Sequence, residues 1–126
     1  MDLTPLIPSG RQIVESYGEG RFRVTSQLYQ SAILVFPERT LAWPVIRFAD
    51  ASLENLEPVL AAGREGNVEL LLFGQGREMQ FVPPALRQGL RAVGVVVEPM
   101  DTGAACRTYN VLMAEGRRIA AALIPV

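Results

Sequence analysis

The sequence predicts an α/β fold: a three-layer domain with a mixed central sheet, in which an N-terminal β-hairpin is followed by a β-α-β-α-β unit. Three observations predict it. Residues 1–48 contain short extended runs interrupted by Gly and Pro. From residue 53 onward, apolar residues recur at helical spacing, and these stretches alternate with short continuous apolar runs. Such alternation is typical of helices that cross over a largely parallel or mixed sheet.

The first elements along the chain are an arm and a hairpin. Residues 1–11 contain two prolines and a Ser-Gly pair, so we expect a flexible arm there and a single domain over residues 12–126. Two alternating runs within residues 13–25 flank a Gly-Glu-Gly sequence, which predicts the hairpin. Residues 30–36 then predict a third strand, and residues 43–48 a further extended segment at the edge of the sheet or at a strand start, because it contains Pro44.

The first helix is predicted by the helical spacing of Leu53, Leu56, Val59 and Leu60. Either Ser52 or Asn55 caps it, depending on whether Pro58 falls in its first turn, and Gly63 ends it. Residues 68–73 are continuously apolar and predict a strand in the centre of a parallel sheet, buried on both faces.

The C-terminal half continues the alternation of helices and strands. Residues 84–93 predict an amphipathic surface helix that starts at a proline, and residues 95–98 predict another buried strand. Asp101 or Thr102 then caps a helix that ends near residue 115, and residues 119–124 form the last strand.

The composition excludes much catalytic chemistry. The chain has no His and no Lys, so Ser-His and Cys-His pairs, imidazole metal sites, Schiff bases and Walker A loops are absent. Cys106 is the only conceivable nucleophile, and it lacks a general base. As the single cysteine it also excludes an intramolecular disulfide and a thiolate metal cluster, and it favours a reducing compartment. We therefore expect no metal, no cofactor and a cytoplasmic protein, and the missing residue types favour a protein without enzymatic activity over an enzyme.

The charge pattern bears on partners. The net charge is -1, and no stretch concentrates arginines into a stripe, so nucleic acid binding is not expected. The longest apolar run covers only residues 119–126 and the N-terminus lacks the features of a signal peptide, so membrane insertion and export are not expected either.

Polar residues follow three of the predicted strands, where ligands bind in open α/β sheets. They are Asp50, the Gly74-Gln75-Gly76 turn, and Asp101-Thr102-Gly103. Flexible glycines and a helix N-terminus could together hold a small anion, although tight turns and a helix cap explain the same residues.

The helix that follows Asp101 places Cys106, Tyr109 and Asn110 on one face. Cys106 is either a reactive thiol near a helix N-terminus or a small buried apolar residue, and the second is more common. Arg107 and Asn110 either bind a ligand or brace neighbouring loops. The candidate ligand-binding residues are Asp50, Gly74, Gly76, Asp101, Thr102, Cys106, Arg107, Tyr109 and Asn110.

The segments at residues 17–24, 74–76, 100–110 and 115–118 resemble the Mth-domain family, and the long block from Met100 to Asn110 is the specific part of the match. The resemblance implies a three-layer α/β fold with a mixed sheet. It also implies action through protein partners, because mitochondrial members act in the assembly of respiratory complex I without an established catalytic activity. Family members commonly have Gly-Thr-Gly where this chain has Gly74-Gln75-Gly76.

Three functional hypotheses follow. The leading one is a non-enzymatic partner-binding protein, by the resemblance a complex I assembly-type factor of a bacterium with respiratory-complex subunits as partners; a homodimer also fits. The alternative is a small-molecule or anion-binding protein that uses the pocket at the strand ends. The third is a thiol-dependent enzyme or redox sensor built on Cys106.

Overall fold

The structure is a computed structural model that describes residues 10–126. Residues 1–9, which make up most of the predicted arm, lie outside the described residues. The elements of the described part are β1 (Val14–Gly18), β2 (Arg21–Val24), β3 (Gln27–Tyr29), β4 (Ile33–Val35), β5 (Thr40–Ala42), a 3-10 helix (Phe48–Asp50), α1 (Glu57–Arg64), β6 (Leu70–Gly74), α2 (Pro84–Arg91), β7 (Val96–Met100), α3 (Thr102–Ala114) and β8 (Ile119–Leu123).

The strands form two sheets. A five-stranded sheet has the order β5-β4-β8-β6-β7, with β6 parallel to both β7 and β8, and β4 antiparallel to both β5 and β8. The strands β1, β2 and β3 form a separate antiparallel sheet. The mixed sheet and the α/β class are confirmed.

The five-stranded sheet has an apolar core on each face, because its side chains alternate between the two sides. Leu71 and Phe73 pack in the core that contains the apolar faces of α1 and α2. Leu72 packs in the other core, with α3 and the inner face of the three-stranded sheet. Burial on both faces explains why β6 and β8 are continuously apolar, and the layers number three, as predicted.

The centre of the sheet is lined with small side chains. Strand β8 carries three consecutive alanines, Ala120, Ala121 and Ala122, all fully buried. Ala121 belongs to the core with α3, and its two neighbours belong to the core with α1 and α2. The prediction that residues 68–73 form the central strand is wrong in position, because β8 lies in the middle of the strand order and β6 beside it.

The N-terminal hairpin is confirmed. Glu19 and Gly20, the two residues between β1 and β2, have positive φ values of 54° and 74°, as in the turns that match the twist of a tight hairpin. Thr25 and Ser26 repeat this geometry before β3. The predicted strand 30–36 starts three residues too early, because β4 begins at Ile33. The strand before it, β3, ends at Tyr29 and belongs to the small sheet.

The extended segment predicted at residues 43–48 is wrong. The edge strand is β5, three residues earlier, and Pro44 follows it because proline has no N–H for a sheet ladder. Trp43 is buried, and its Nε1–H donates to Asn55 Oδ1 at 3.1 Å. Phe48 opens the 3-10 helix and packs edge-on against Phe73, with 5.2 Å between ring centres.

Neither predicted cap starts α1. Ser52 and Asn55 form a turn before the helix, in which each side chain accepts a hydrogen bond from the other residue's backbone N–H. Pro58 lies in the first turn of α1, where proline is tolerated. The alternative that made Asn55 the cap required this position. Gly63 does not end the helix, which continues to Arg64. A Cβ on Gly63 would lie 2.7 Å from Val95 Cγ2, so glycine is needed there for close packing.

The C-terminal elements agree better with the predictions. Helix α2 begins at Pro84, and Asp101 rather than Thr102 caps α3, since its Oδ1 accepts from Ala104 N at 2.9 Å. Strand β7, predicted to be buried, lies at the edge of the sheet with Val96 half exposed. Pro99 and a hydrogen bond from Arg87 Nη1 to the Val97 carbonyl (3.3 Å) protect this edge from further pairing.

Candidate functional site

The carboxyl ends of the three parallel strands meet at Thr102. Its backbone N–H donates to the Gly76 carbonyl at 2.8 Å. Its hydroxyl donates to the Ile124 carbonyl at 2.6 Å and accepts from the Gly76 N–H at 2.9 Å. Thr102 is fully buried, so both hydrogen-bonding functions of its hydroxyl serve the protein itself.

The glycines at this end of the sheet have different roles. A Cβ on Gly74 would lie 2.8 Å from Leu123 Cδ2 and 3.1 Å from the backbone of Thr102, so protein atoms occupy the space that a ligand would need. Gly76 has a φ of 102° and forms the turn after β6. The structure thus brings Gly74, Gly76 and Thr102 together, and they contact each other.

The two candidate carboxylates, Asp50 and Asp101, lie at different places and each stabilises its own turn or helix. Asp101 caps α3 through Oδ1. Asp50 Oδ2 accepts from the backbone N–H groups of Ile46 and Arg47, both at 3.3 Å, within its own turn. Its neighbour Phe48 packs in the core beside α1 and α2, on the opposite side of the sheet from α3. Asp50 is therefore not part of the cluster around Thr102.

The thiol of Cys106 is fully buried in the core between the large sheet and α3. Burial raises the pKa of Cys106 to about 12, and the nearby Arg107 guanidinium offsets only part of this effect. A buried thiol with a raised pKa behaves as a small apolar side chain. The geometry of Cys106 gives the nucleophile hypothesis no support.

We expect Cys106 in the native protein to react with iodoacetamide at least 100-fold more slowly than in the unfolded chain at pH 8.5. The reason is that burial excludes the reagent and keeps the thiol protonated. Because the pKa is higher in the folded state, the contribution of Cys106 to stability is complete below about pH 9 and declines as pH rises toward 12. Intact-mass spectrometry of timed samples measures the rate.

The control is the same reaction in 6 M guanidinium chloride, where the thiol is accessible. The variant Cys106→Ala should lose less stability than wild type between pH 9 and pH 11. Rapid alkylation of the folded protein would contradict the burial of this thiol and return the redox hypothesis to consideration.

Asn110 and Tyr109 join α3 to the N-terminal sheet. Asn110 Nδ2 donates to the Val14 carbonyl at 2.9 Å, and its Oδ1 accepts from the Val14 N–H at 3.0 Å. The hydroxyl of Tyr109 donates to the Gln12 carbonyl at 2.9 Å. Burial raises the pKa of Tyr109, which keeps this donor protonated. Both side chains bind the backbone of the N-terminal strand region.

Arg107 lies at the junction of α3 and β1. Its Nη1 donates to the hydroxyl of Tyr17 at 3.0 Å. A Cβ on Gly103 would lie 2.6 Å from that hydroxyl, so glycine is needed there for Tyr17 to approach the first turn of α3. The motif at residues 101–110 thus fastens α3 to β1 at several points.

Sequence reasoning missed the role of Gln75. This side chain is 2% exposed, and its Oε1 accepts from the Gln80 N–H at 2.6 Å, while Gln80 Nε2 donates to the Gln75 carbonyl at 3.1 Å. The two residues close the loop between β6 and α2. Within residues 10–126, Gln75 Nε2 is a buried donor without a hydrogen-bond partner.

The same loop exposes large apolar side chains that the sequence did not single out. Phe81 is 81% exposed and Met79 is 67% exposed, and Ile46, beside the 3-10 helix, is 86% exposed. We call Ile46, Met79 and Phe81 the exposed apolar residues. A shallow groove of about 440 Å³, lined by Leu53, Pro83 and Leu86 among others, begins two residues after Phe81.

Two further properties concern the described residues alone. No group of three or more acidic or thiol side chains in residues 10–126 is arranged to hold a metal ion. No helix in this range has the length and hydropathy needed to cross a bilayer.

The fold and the packed motif around Asp101 define the class of the protein as an Mth938-like domain. The solution structure of a Bordetella pertussis protein of this class superimposes with a TM-score of 0.82 at 36% identity, covering 99% of this chain and 92% of that one. The chain belongs to the DUF498/DUF598 family of proteins of unknown function, whose sequence pattern matches residues 14–124. The predicted membership of the Mth-domain family is confirmed.

Two relatives show how widely the family is distributed. An uncharacterized protein of Rhodobacter capsulatus is 36% identical over 118 residues, which cover 94% of this chain and 88% of that protein. The NADH dehydrogenase [ubiquinone] 1 alpha subcomplex assembly factor 3 of Xenopus tropicalis is 34% identical over 112 residues, or 89% of this chain. The match spans 60% of the length of that assembly factor.

Proposed function

We propose that the protein is a non-enzymatic, partner-binding factor of the assembly type, which binds subunits of a bacterial respiratory NADH dehydrogenase in the cytoplasm. The observation that carries the proposal is the set of exposed apolar residues. Ile46, Met79 and Phe81 are each at least two-thirds exposed, on two loops rather than in the core.

Large apolar side chains on loops favour binding to another protein. Fully burying a side chain such as Phe or Met stabilises a complex by about 1.5–3 kcal/mol. A few side chains near the centre of an interface contribute most of the binding energy, and aromatic residues are enriched at interfaces. Phe81 is the most exposed aromatic residue of the described chain. A mainly apolar groove lined by Leu53, Pro83 and Leu86 begins two residues after Phe81 along the chain.

The chemistry of the chain supports binding rather than catalysis. It contains no His and no Lys, and its one thiol is buried with a raised pKa. The assembly factor 3 of Xenopus tropicalis is by name an assembly factor of NADH dehydrogenase, and the match covers most of this chain. The small-molecule alternative has less support, because the hydroxyl of Thr102 and the space beside Gly74 are used within the protein.

A tagged pull-down from the bacterial host, with membrane and soluble fractions separated, tests this proposal. Wild type should recover respiratory NADH dehydrogenase subunits, identified by mass spectrometry. The variant Phe81→Ser should reduce recovery at least tenfold, because about 1.4 kcal/mol of lost binding energy already changes affinity tenfold. Circular dichroism and thermal melting should show an unchanged fold, since Phe81 is exposed.

The matched control is Val111→Ser, which removes an exposed apolar side chain from α3, away from the two loops. It should leave recovery unchanged. Recovery of the same subunits by wild type and Phe81→Ser would show that this surface is not the binding site. A wild-type eluate without respiratory subunits at moderate salt would contradict the proposed partner.

A further inference from the structure

The outer face of the three-stranded sheet carries two arginines. The register places Arg23 between Ser16 on β1 and Leu28 on β3, and places Arg21 opposite Gly18. The side chains that alternate with the arginines point inward and are fully buried, so both arginines point outward and are exposed.

These side chains border a groove of about 410 Å³ on the outer face. Arg21, Arg23 and Leu28 line it together with the small residues Ser16 and Gly18. A Cβ on Gly18 would contact nothing within 4 Å, so the groove is open to an approaching chain at this point. Leu28 adds an exposed apolar contact.

No acidic side chain of the described residues forms an ion pair with the two guanidinium groups of the groove. The ion pairs of the described residues lie elsewhere, and the side chains of Arg21 and Arg23 have neither an ion pair nor a hydrogen bond within residues 10–126. Of the two acidic residues nearby, Glu15 accepts a hydrogen bond from the Ser26 N–H at 2.8 Å, and Glu19 lines one end of the groove.

Within residues 10–126, β3 has no partner strand on the side away from β2, and this edge adjoins the groove through Leu28. Strand β3 is the last strand of its sheet, and Val24 and Gln27 form the pair that closes the two-residue turn. Backbone groups alternate in direction along an antiparallel strand, so the N–H and C=O of Leu28 point away from β2. An extended segment can pair with such an edge.

We infer that the Arg21–Arg23 groove and the β3 edge together bind an extended acidic segment of a protein partner. Residues two apart on a strand are separated by about 6.6 Å, so carboxylates at alternate positions of the segment match the two guanidinium groups. This inference rests on the proposed partner-binding function and adds a second contact on the α3 side of the sheet.

The composition of the groove favours a protein segment over a nucleic acid. Two arginines with a glutamate at the margin suit a few carboxylates, whereas phosphate backbones are bound by more extensive positive surfaces. The overall charge of -1 also gives no long-range attraction for a polyanion. The exposed Leu28 fits an apolar side chain of a peptide.

An NMR titration of the ¹⁵N-labelled protein tests the inference. The probe is a ten-residue peptide of alternating Glu and Thr, and its matched control has Gln in place of Glu. The acidic peptide should shift amide signals of residues 16–28, and the Gln peptide should not. The double variant Arg21→Gln/Arg23→Gln should bind the acidic peptide at least tenfold more weakly.

The matched control variant is Arg91→Gln/Arg117→Gln, which removes the same charge from exposed positions elsewhere and should bind like wild type. Equal responses to the two peptides, equal binding by the two double variants, or no shift at millimolar peptide would overturn the inference. Shifts caused only by a short oligonucleotide or inorganic phosphate would overturn it too.

The pull-down separates this inference from the proposed function. Loss of respiratory subunits in both Phe81→Ser and Arg21→Gln/Arg23→Gln supports both. Loss in Phe81→Ser alone would overturn the acidic-segment inference and leave the proposed function intact. A wild-type eluate without respiratory subunits would contradict the proposed function, while the peptide titration would still report on the groove.

Discussion

Replacing Thr102 with Val is expected to lower the free energy of unfolding by about 3 kcal/mol. Valine has nearly the same shape, but it removes the hydroxyl that bonds the Ile124 carbonyl and the Gly76 N–H. The Ile124 carbonyl then loses its donor, and the Gly76 N–H loses its acceptor. Because Thr102 is fully buried, water cannot easily replace either hydrogen bond. Urea denaturation followed by circular dichroism measures the change.

The control is Thr102→Ser, which keeps the hydroxyl and removes one methyl group. Its cost should be about 1 kcal/mol, the contribution of a single buried carbon. If Val and Ser destabilise the protein equally, the hydroxyl does not contribute what its two hydrogen bonds indicate.

Replacing Asn110 with Leu is expected to lower the free energy of unfolding by about 4 kcal/mol. The amide side chain satisfies both the N–H and the C=O of Val14, and leucine can satisfy neither. Both groups are buried, so water cannot replace the amide. Relative to wild type, the variant should show a larger increase in amide hydrogen exchange in β1 than in β6. This local increase comes in addition to the global loss of stability measured by denaturation.

The neighbouring exposed position gives the control, because Val111→Ala lies on the outer side of the same helix turn and should change stability by less than about 0.5 kcal/mol. A small effect of Asn110→Leu, or hydrogen exchange that rises evenly over the whole chain, would show that Asn110 does not hold β1 to α3.

The parallel part of the fold was predictable because its signals are strong and local. A buried parallel strand is continuously apolar, as in residues 68–73, and Asp101 and Pro84 mark helix starts by their own backbone chemistry. The strands β3 and β5 were not predicted, because three residues are too few to show the alternation of apolar and polar residues that indicates a strand. Trp43 added to the error, because its burial does not require a strand.

The candidate site divides in the same way. The meeting of residues 74–76 with Thr102 follows from parallel strands sharing a carboxyl end, so the sequence predicted it. Whether a buried hydroxyl faces a ligand or a carbonyl depends on tertiary contacts that no local pattern contains. The exposure of Ile46, Met79 and Phe81 also depends on tertiary contacts and could not be predicted from the sequence. Sequence reasoning assigns large apolar residues to the core by default.

The alanines in the middle of the large sheet affect how this family can diverge. Ala120, Ala121 and Ala122 project alternately into the two cores, so a larger side chain at any of them has to push a whole layer outward. Compensating changes would be needed in α1 and α2 on one side or in α3 on the other. Amino acid change is therefore better tolerated at the periphery, on the loops and the small sheet, where new binding surfaces can arise without disturbing the centre.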